Sequence, residues 1–153
     1  MRETSPLEDL YRTKGPVIWR ALLAFSTDPA VADDALSEAF VQALARSDEV
    51  RDPLRWVWRA AFRIAAGELQ ERRRTTQLHG ERGSYAFPEP LDHVVDALRQ
   101  LSPNQRLAVV LHDYADRPVA EVAATLGASR ATVYVHLSQG RRRLRSLLED
   151  DDA

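Results

Sequence analysis

The stretch that decides the fold runs from Leu101 to Leu148 and reads LSPNQRLAVVLHDYADRPVAEVAATLGASRATVYVHLSQGRRRLRSLL. Its centre has four apolar residues at the i, i+3, i+4, i+7 spacing of one helix face: Val119, Val122, Ala123 and Leu126. Gly127 follows where a helix needs a left-handed cap, and Ser129 can cap a second helix. The turn between the two helices is therefore about three to four residues long, which is typical of a helix-turn-helix.

The second helix of this motif is predicted to have a buried and an open side. The buried stripe is Val133, Leu137, Gly140 and Leu144, and the open side is Arg130, Tyr134, Val135, Ser138 and Arg142. In a helix-turn-helix, the N-terminal half of the open side enters a DNA major groove. The predicted base-edge contacts are Arg130, Ala131, Tyr134 and Val135, and the predicted phosphate or orienting contacts are Ser129, Thr132, Arg141 and Arg142.

The charge of this region supports DNA as a ligand. From Pro118 to Leu148, five arginines stand against one acid, Glu121, which gives a local charge of +4 in a chain whose net charge is −2. Binding to phosphates depends on the face presented and not on the total charge. The alternative is a solvated helix end, because arginines at a helix C-terminus also interact favourably with the helix dipole.

Composition sets broad bounds on the protein. The 153 residues, 44% of them hydrophobic, suffice for one domain or two small ones. The absence of cysteine excludes disulfides and thiolate metal sites and fits a reducing compartment. No apolar run approaches the roughly 20 residues of a membrane span, and the N-terminus has no signal-peptide core. We therefore expect a soluble, cytoplasmic protein.

The first half of the chain is predicted to be a helical domain, residues 5–74. Ser5, Pro6 and Glu8 form a capping box that opens a first helix, which Gly15 and Pro16 are expected to interrupt. Asp28 and Pro29 open a second helix with one apolar stripe: Ala32, Ala35, Leu36, Ala39, Phe40, Ala43 and Leu44. Asp52 and Pro53 open a third helix that runs to about Arg74.

The rest of the chain divides into three parts. Residues 75–90 lose periodicity and contain two glycines and two prolines, which is typical of a flexible linker. Residues 91–148 form the second helical domain, in which Ser102 with Pro103 caps a supporting helix. Residues 149–153 are a short acidic tail that we expect to be disordered. The predicted fold class is all-α, with two small helical domains.

The third helix offers a second candidate surface for nucleic acid. Trp56 falls opposite the helix's apolar stripe and shares its face with Arg59 and Arg63, at i+3 and i+7. An aromatic ring between guanidinium groups suits single-stranded nucleic acid, because bases stack on the ring while arginines hold the backbone. The alternative is that Trp56 packs under a neighbouring segment, as most tryptophans do.

Asp34 and Glu38 form an i, i+4 carboxylate pair on the far face of the second helix. The pair is either solvated helix surface or part of a docking face for a partner. The four histidines, His79, His93, His112 and His136, are scattered without ligand spacing, so we predict no metal and no cofactor. No phosphate-binding glycine loop, nucleophile elbow or zinc-protease motif is present, so no residue supports an enzyme.

Together, these features resemble the extracytoplasmic-function (ECF) sigma factors of bacteria, and the resemblance covers most of the chain. VADDALSEAFVQAL is similar to the family's polymerase-docking helix, and LRWVWRAAFRIAAGELQERRR to its promoter-melting helix. LSPNQR, EVAATLG, TVYVHL and RRRLR are similar to its final helix-turn-helix. The resemblance implies polymerase contacts from Asp34, Glu38 and Phe40, and downstream-element contacts from Arg55, Trp56, Arg59 and Arg63. It assigns the upstream element to Ser129, Arg130, Ala131, Thr132, Tyr134, Val135, Ser138, Arg141 and Arg142.

The chain also departs from that family pattern. Ser37, Arg63 and Gly67 stand where the family usually has glutamine, asparagine and aspartate. Tyr134, His136 and Gln139 stand where lysine or arginine is frequent in the recognition helix, which implies a modest DNA affinity.

The resemblance predicts a transcription-initiation factor that gives RNA polymerase promoter specificity and performs no chemistry itself. Its expected partners are core polymerase, promoter DNA and an anti-sigma factor, without a small-molecule substrate. The alternative is a helix-turn-helix regulator, or a sigma-like adaptor, that binds DNA or a protein without supporting initiation. Such a regulator needs neither a docking face near Glu38 nor an exposed Trp56.

Overall fold

A computed structural model describes residues 5–79, 86–89 and 91–151. Within these ranges the secondary structure is entirely helical, as predicted. The seven α-helices are α1 (Pro6–Ser26), α2 (Pro29–Ala45), α3 (Pro53–His79), α4 (Leu91–Arg99), α5 (Pro103–Val109), α6 (Val119–Leu126) and α7 (Arg130–Asp151). A π-helical segment, Val110–Tyr114, follows α5. The chain divides into two compact units, residues 1–74 and 75–153.

In the first unit, helices α1, α2 and α3 bury one shared apolar core. Its largest fully buried side chains include Ile18, Leu22, Phe25, Val31 and Phe62. The rings of Phe25 and Phe62 lie 5.5 Å apart between centroids, a favourable distance for aromatic packing. The predicted capping bond is also present, because Ser5 Oγ accepts from the Glu8 amide at 3.1 Å.

The predicted break in the first helix is wrong, since α1 continues through Pro16 to Ser26. An interior proline removes one backbone hydrogen bond and costs about 3 kcal/mol. Three large side chains that follow Pro16 in the helix, Ile18, Leu22 and Phe25, are buried. At roughly 1.5–3 kcal/mol per large side chain, this burial outweighs the local cost.

Helix α2 begins as predicted, with Asp28 Oδ1 accepting from the Ala30 amide at 2.9 Å. The other Asp28 oxygen pairs with Arg72 and so ties the start of α2 to α3. In the predicted stripe, Ala32, Ala35, Leu36, Ala39 and Ala43 are buried and Phe40 is partly buried, but Leu44 is 65% exposed, which contradicts its place in the stripe. At 100° per residue, Leu44 lies about 130° from the centre of the buried face.

Two parts of the predicted flexible linker, residues 75–79 and 86–89, differ from the prediction. Helix α3 continues to His79 because Gly80 is the first helix breaker after Arg74, so the assignment of residues 75–79 to a flexible linker is wrong. Further along, Phe87 is buried, its amide donates to Asp92 Oδ1 at 3.4 Å, and Arg99 lies 5.7 Å from its ring centre. Phe87 therefore packs against α4, whereas residues 86, 88 and 89 are exposed. The remaining linker residues, 80–85 and 90, lie outside the described residues.

The predicted disorder of the acidic tail is also wrong for Glu149 to Asp151, which belong to α7. No glycine or proline follows Leu148, so nothing in the sequence ends the helix there. Residues 152 and 153 lie outside the described residues.

The second unit places α5, α6 and α7 around a small core. Leu107, Leu111, Val122, Val133 and Leu137 are all nearly or fully buried. The predicted capping of α5 is present as a complete capping box, in which Gln105 N donates to Ser102 Oγ and Ser102 N donates to Gln105 Oε1.

Candidate nucleic-acid interface

The turn between α6 and α7 forms as the sequence predicted. Gly127 is left-handed, with φ of +68°, and ends α6. The Ala128 amide donates to the Ala123 carbonyl at 3.0 Å, which satisfies a carbonyl at the end of α6. Ser129 Oγ accepts from the Thr132 amide at 3.1 Å and so caps α7. The helix-turn-helix is confirmed as a structure.

Helix α7 separates a buried from an open side as predicted. Val133, Leu137 and Gly140 are buried, and Leu144 is partly buried. The predicted DNA-contacting residues are all exposed: Ser129, Arg130, Ala131, Thr132, Tyr134, Val135, Ser138, Arg141 and Arg142. His136 is partly buried, so its departure from the family pattern does not lie on this open side.

Helix α7 is held against α5 by a close approach at Gly140. A Cβ atom at this position would lie 2.9 Å from Val109 Cγ2 and 3.5 Å from the Gln105 carbonyl oxygen. The side-chain Nε2 of Gln105 also donates to Gln139 Oε1 at 3.2 Å. These contacts fix the rotation of α7, and with it the direction in which the open side faces.

Arg141 forms a bidentate ion pair with Asp113, a residue of the π-helical segment. Its Nε and one terminal nitrogen donate to the two Asp113 oxygens at 2.8 and 2.6 Å. The hydrogen bonds that Arg141 donates to Asp113 raise the pKa of Arg141, whose guanidinium therefore stays charged. No pattern in the sequence indicates this partner, because Asp113 belongs to a π-helical segment that spacing does not predict.

On α3, the predicted surface is present with one difference. Arg55, Arg59 and Arg63 are exposed, but Trp56 is only partly exposed. Helical side chains lean toward the N-terminus of the helix, and Trp56 lies one turn from the start of α3. The Cα–Cβ bond of Trp56 is therefore directed toward the start of the helix. The structure lies between the two alternatives that the sequence left open.

On α2, Asp34 and Glu38 are exposed, and Glu38 accepts a hydrogen bond from Gln42 at 3.1 Å. Phe40 is partly covered by Tyr11, whose ring meets it edge-on at 5.0 Å between centroids. The large apolar side chains that α2 exposes are Val41, at 60%, and Leu44. Sequence reasoning missed both of them as candidate contacts. Their angle on the helix was the available signal, since Val41 follows Asp34 by seven residues.

Asp34 also faces an acidic group on α3. Burial and the carboxylate of Asp34 raise the pKa of Glu68, with a smaller contribution from Asp28, while Arg72 opposes the shift. Negative charge at this α2–α3 surface is therefore only partly compensated within the unit.

The described residues contain no group of three or more histidines or carboxylates arranged to hold a metal ion. Across the same ranges, no helix is both long and apolar enough to cross a membrane.

Comparison with known proteins gives a consistent set of relatives. Residues 91–144 match the family model described as "Sigma-70, region 4". The chain is 27% identical over 162 residues to the ECF RNA polymerase sigma factor SigL of Mycobacterium tuberculosis, covering 97% of this chain and 92% of SigL. It is 29% identical over 159 residues to the RNA polymerase sigma-E factor of Streptomyces coelicolor, covering 97% and 89%.

Two solved structures share the fold. The sigma factor RpoE of Bartonella quintana, crystallised with the anti-sigma factor NepR, has a TM-score of 0.84 at 20% identity and covers 95% of this chain and 98% of its own. CnrH, solved with the cytosolic domain of CnrY, has a TM-score of 0.72 at 25% identity and covers 95% and 88%.

Proposed function

We propose that the chain is an ECF RNA polymerase sigma factor, as its match to region 4 and its relatives over nearly the whole chain support, and that its surfaces divide the work of transcription initiation. Helix α7 reads the upstream promoter element, α3 contacts the opened downstream element, and α2 docks core polymerase. Sigma factors in general are not enzymes, and we propose that this chain performs no chemistry of its own. An anti-sigma factor is the regulatory partner that the family resemblance implies.

The observation that carries the proposal is the open side of α7. Arg130, Tyr134 and Val135 are exposed on the N-terminal turns of a helix whose rotation is fixed by the Gly140 contact. This is the part of a recognition helix that reaches base edges in a major groove. A regulator would share this feature, so the first unit decides between the two functions.

The docking face proposed on α2 joins charge to apolar surface. Asp34 supplies an exposed carboxylate, and Val41 and Leu44 supply exposed apolar side chains on the same side of the helix. Phe40 stays in the predicted contact set, but Tyr11 covers part of its ring. We therefore expect Val41 and Leu44 to contribute more apolar contact than Phe40.

Reconstitution tests the proposed function as a whole. The purified chain is mixed with bacterial core polymerase, a promoter is selected from random DNA, and transcript formation is measured. A sigma factor starts transcripts from a defined position, and omission of the chain abolishes them. A chain that binds the selected DNA but starts no transcript with core polymerase would be the regulator of the alternative.

Charge reversal on α2 tests the docking face separately. Asp34→Lys combined with Glu38→Lys is expected to weaken core binding by about 2–5 kcal/mol if the carboxylates are desolvated in the interface, against less than about 1 kcal/mol for solvated charges. Affinity is measured with labelled chain and core polymerase. Asp48→Lys with Glu49→Lys, in the exposed turn after α2, is the matched control. Equal core binding by the folded α2 variant and its parent would contradict the docking assignment.

A matched apolar pair refines this surface. Val41→Ser with Leu44→Ser removes two exposed side chains and so leaves the core of the unit intact. We expect weaker core binding without a change in unfolding temperature. If Phe40→Ala weakened binding and the serine pair did not, the apolar contact would belong to Phe40.

A further inference from the structure

The ion pair between Arg141 and Asp113 occupies a side chain on the DNA-facing side of α7. Arg141 follows Tyr134 by seven residues and Arg130 by eleven, spacings that return to the same side of a helix. In the unbound protein its guanidinium is held by both Asp113 oxygens, at 2.8 and 2.6 Å. An arginine suited to a phosphate is therefore already engaged by a carboxylate of its own chain.

A phosphate can replace this carboxylate. The planar guanidinium fork matches either group through two parallel hydrogen bonds. The side chains of Arg141 and Asp113 are 47% and 34% exposed, so DNA can approach the pair. An exposed ion pair is weak, whereas a DNA phosphate brings the release of condensed counterions in addition to its charge.

Asp113, by contrast, is fixed where it is. The π-helical segment ends with the Ala115 amide donating to the Val110 carbonyl at 3.0 Å, and the Arg117 amide donating to the Leu111 carbonyl at 2.8 Å. The Arg117 guanidinium forms a second bidentate pair with Glu121, at 2.7 Å for both bonds, and so fastens this turn to α6. The backbone around Asp113 is therefore anchored, and Arg141 is the partner that can move.

We propose that Asp113 is an internal competitor of DNA. It holds Arg141 in the unbound protein, and a phosphate of the upstream promoter duplex displaces it when α7 docks. The exchange lowers affinity for every DNA sequence alike, because the contact involves no base. This inference rests on the proposed role of α7 in binding duplex DNA.

The test uses the full chain assembled with core polymerase, and duplex DNA carrying either the selected or a scrambled upstream element. Asp113→Asn keeps the side-chain shape and removes the charge, and Asp113→Ala removes the hydrogen bond as well. Both are expected to raise affinity about two- to five-fold on both duplexes, which corresponds to the loss of one exposed ion pair. Arg141→Ala is expected to reduce the slope of log affinity against log salt by about 0.9, the value of one phosphate contact.

The double variant separates displacement from a general charge effect. In an Arg141→Ala background, Asp113→Asn is expected to give no further gain. Asp116→Asn is the matched control, because Asp116 is an exposed carboxylate three residues away whose positive φ of 56° asparagine also tolerates. We expect no gain from this control.

Each other outcome has a definite meaning. A fall in affinity with Asp113→Asn would make the pair a positioning contact and overturn the proposal, as would unchanged affinity. A gain that persists without Arg141, or that Asp116→Asn reproduces, would reduce Asp113 to one of several repelling charges and also overturn it. If the parent holoenzyme does not distinguish the selected from the scrambled duplex, it is the proposed function of α7 that fails.

Discussion

Helices α3 and α7 both carry arginines on their outward sides, but a glycine has a different role in each of them. Helix α7 is capped by Ser129 and pressed against α5 at Gly140, so both its start and its rotation are fixed. Gly140 lies on the buried side of α7, whereas Gly67 lies on the exposed side of α3 and has no atom of another segment within 4 Å of its Cβ position. The same residue type is thus required in one helix and unconstrained in the other.

The sequence also predicts the outward side of α7 better than the outward side of α3. The exposed positions of α7 follow from a local turn, whose cap and glycine can be recognised in the sequence. The exposure of Trp56 on α3, by contrast, depends on how neighbouring residues cover its indole ring. Spacing alone predicts the direction of the Cα–Cβ bond but not the cover of a large ring.

Alanine substitutions at the two glycines test this contrast directly. Gly140→Ala places a methyl group 2.9 Å from Val109 Cγ2 and is expected to destabilise the second unit by about 1–3 kcal/mol, as overpacking does. Gly67→Ala is expected to stabilise α3 by about 0.4–1 kcal/mol, because it removes freedom from the unfolded chain. Urea unfolding followed by circular dichroism measures both. Equal effects of the two substitutions would contradict the contrast.

The role of Trp56 can be tested by removing its ring. If bases of the opened downstream element stack on the face of its ring, Trp56→Ala should cost about 1–3 kcal/mol per stacked base and slow strand opening. Duplex binding through α7 should be unchanged. Permanganate reactivity near the start site measures opening. Normal opening by a folded variant, or unfolding of the first unit, would favour a packing role for Trp56.

On α7, Arg130 is expected to contact a base and Arg142 a phosphate. Arg130→Ala is expected to relax preference at one or two upstream positions by about 1–3 kcal/mol, because a bidentate arginine–guanine contact is the commonest specific one. Arg142→Ala should weaken binding to all sequences and flatten the salt slope by about one unit. Affinity against salt on selected and scrambled duplexes separates the two. Arg130 is no base reader if its loss leaves the sequence profile unchanged.

Local signals in the sequence therefore predicted most of the fold, and tertiary contacts account for the failures. The caps at Ser5, Asp28 and Ser102 were identified because each sets a hydrogen bond within three residues. Pro16 does not end the helix because the free-energy cost of an interior proline is offset by burial of other side chains of α1. Asp113 was not identified because its partner lies 28 residues away and meets it through a π-helical segment. Spacing cannot indicate such a pair.

The acidic surface between α2 and α3 gives the smallest expected effect. Burial and Asp34 raise the pKa of Glu68 above its ordinary value of 4.5. A carboxyl whose pKa is raised by folding stabilises the fold while it is protonated, and this contribution is lost as the pH rises through the folded-state pKa. Glu68→Gln should therefore increase the free energy of unfolding at pH 7 by a few tenths of a kcal/mol.

The dependence on pH distinguishes this from a simple surface effect. The gain from Glu68→Gln should shrink as the pH falls through the raised folded-state pKa toward 4.5, and it should be absent well below 4.5, where Glu68 is protonated in the folded and unfolded chains alike. Glu71→Gln is the matched control on the same helix, because the hydrogen bond from Arg74 lowers the pKa of Glu71 and so reverses the sign. Unfolding of both variants is measured between pH 3.5 and 7, the range set by these shifts. A gain for Glu68→Gln that does not change with pH would show that the charge of Glu68 is not its cause. If core polymerase supplies a positive charge to this surface, as the docking proposal implies, the gain should disappear in the complex while it persists in the free chain.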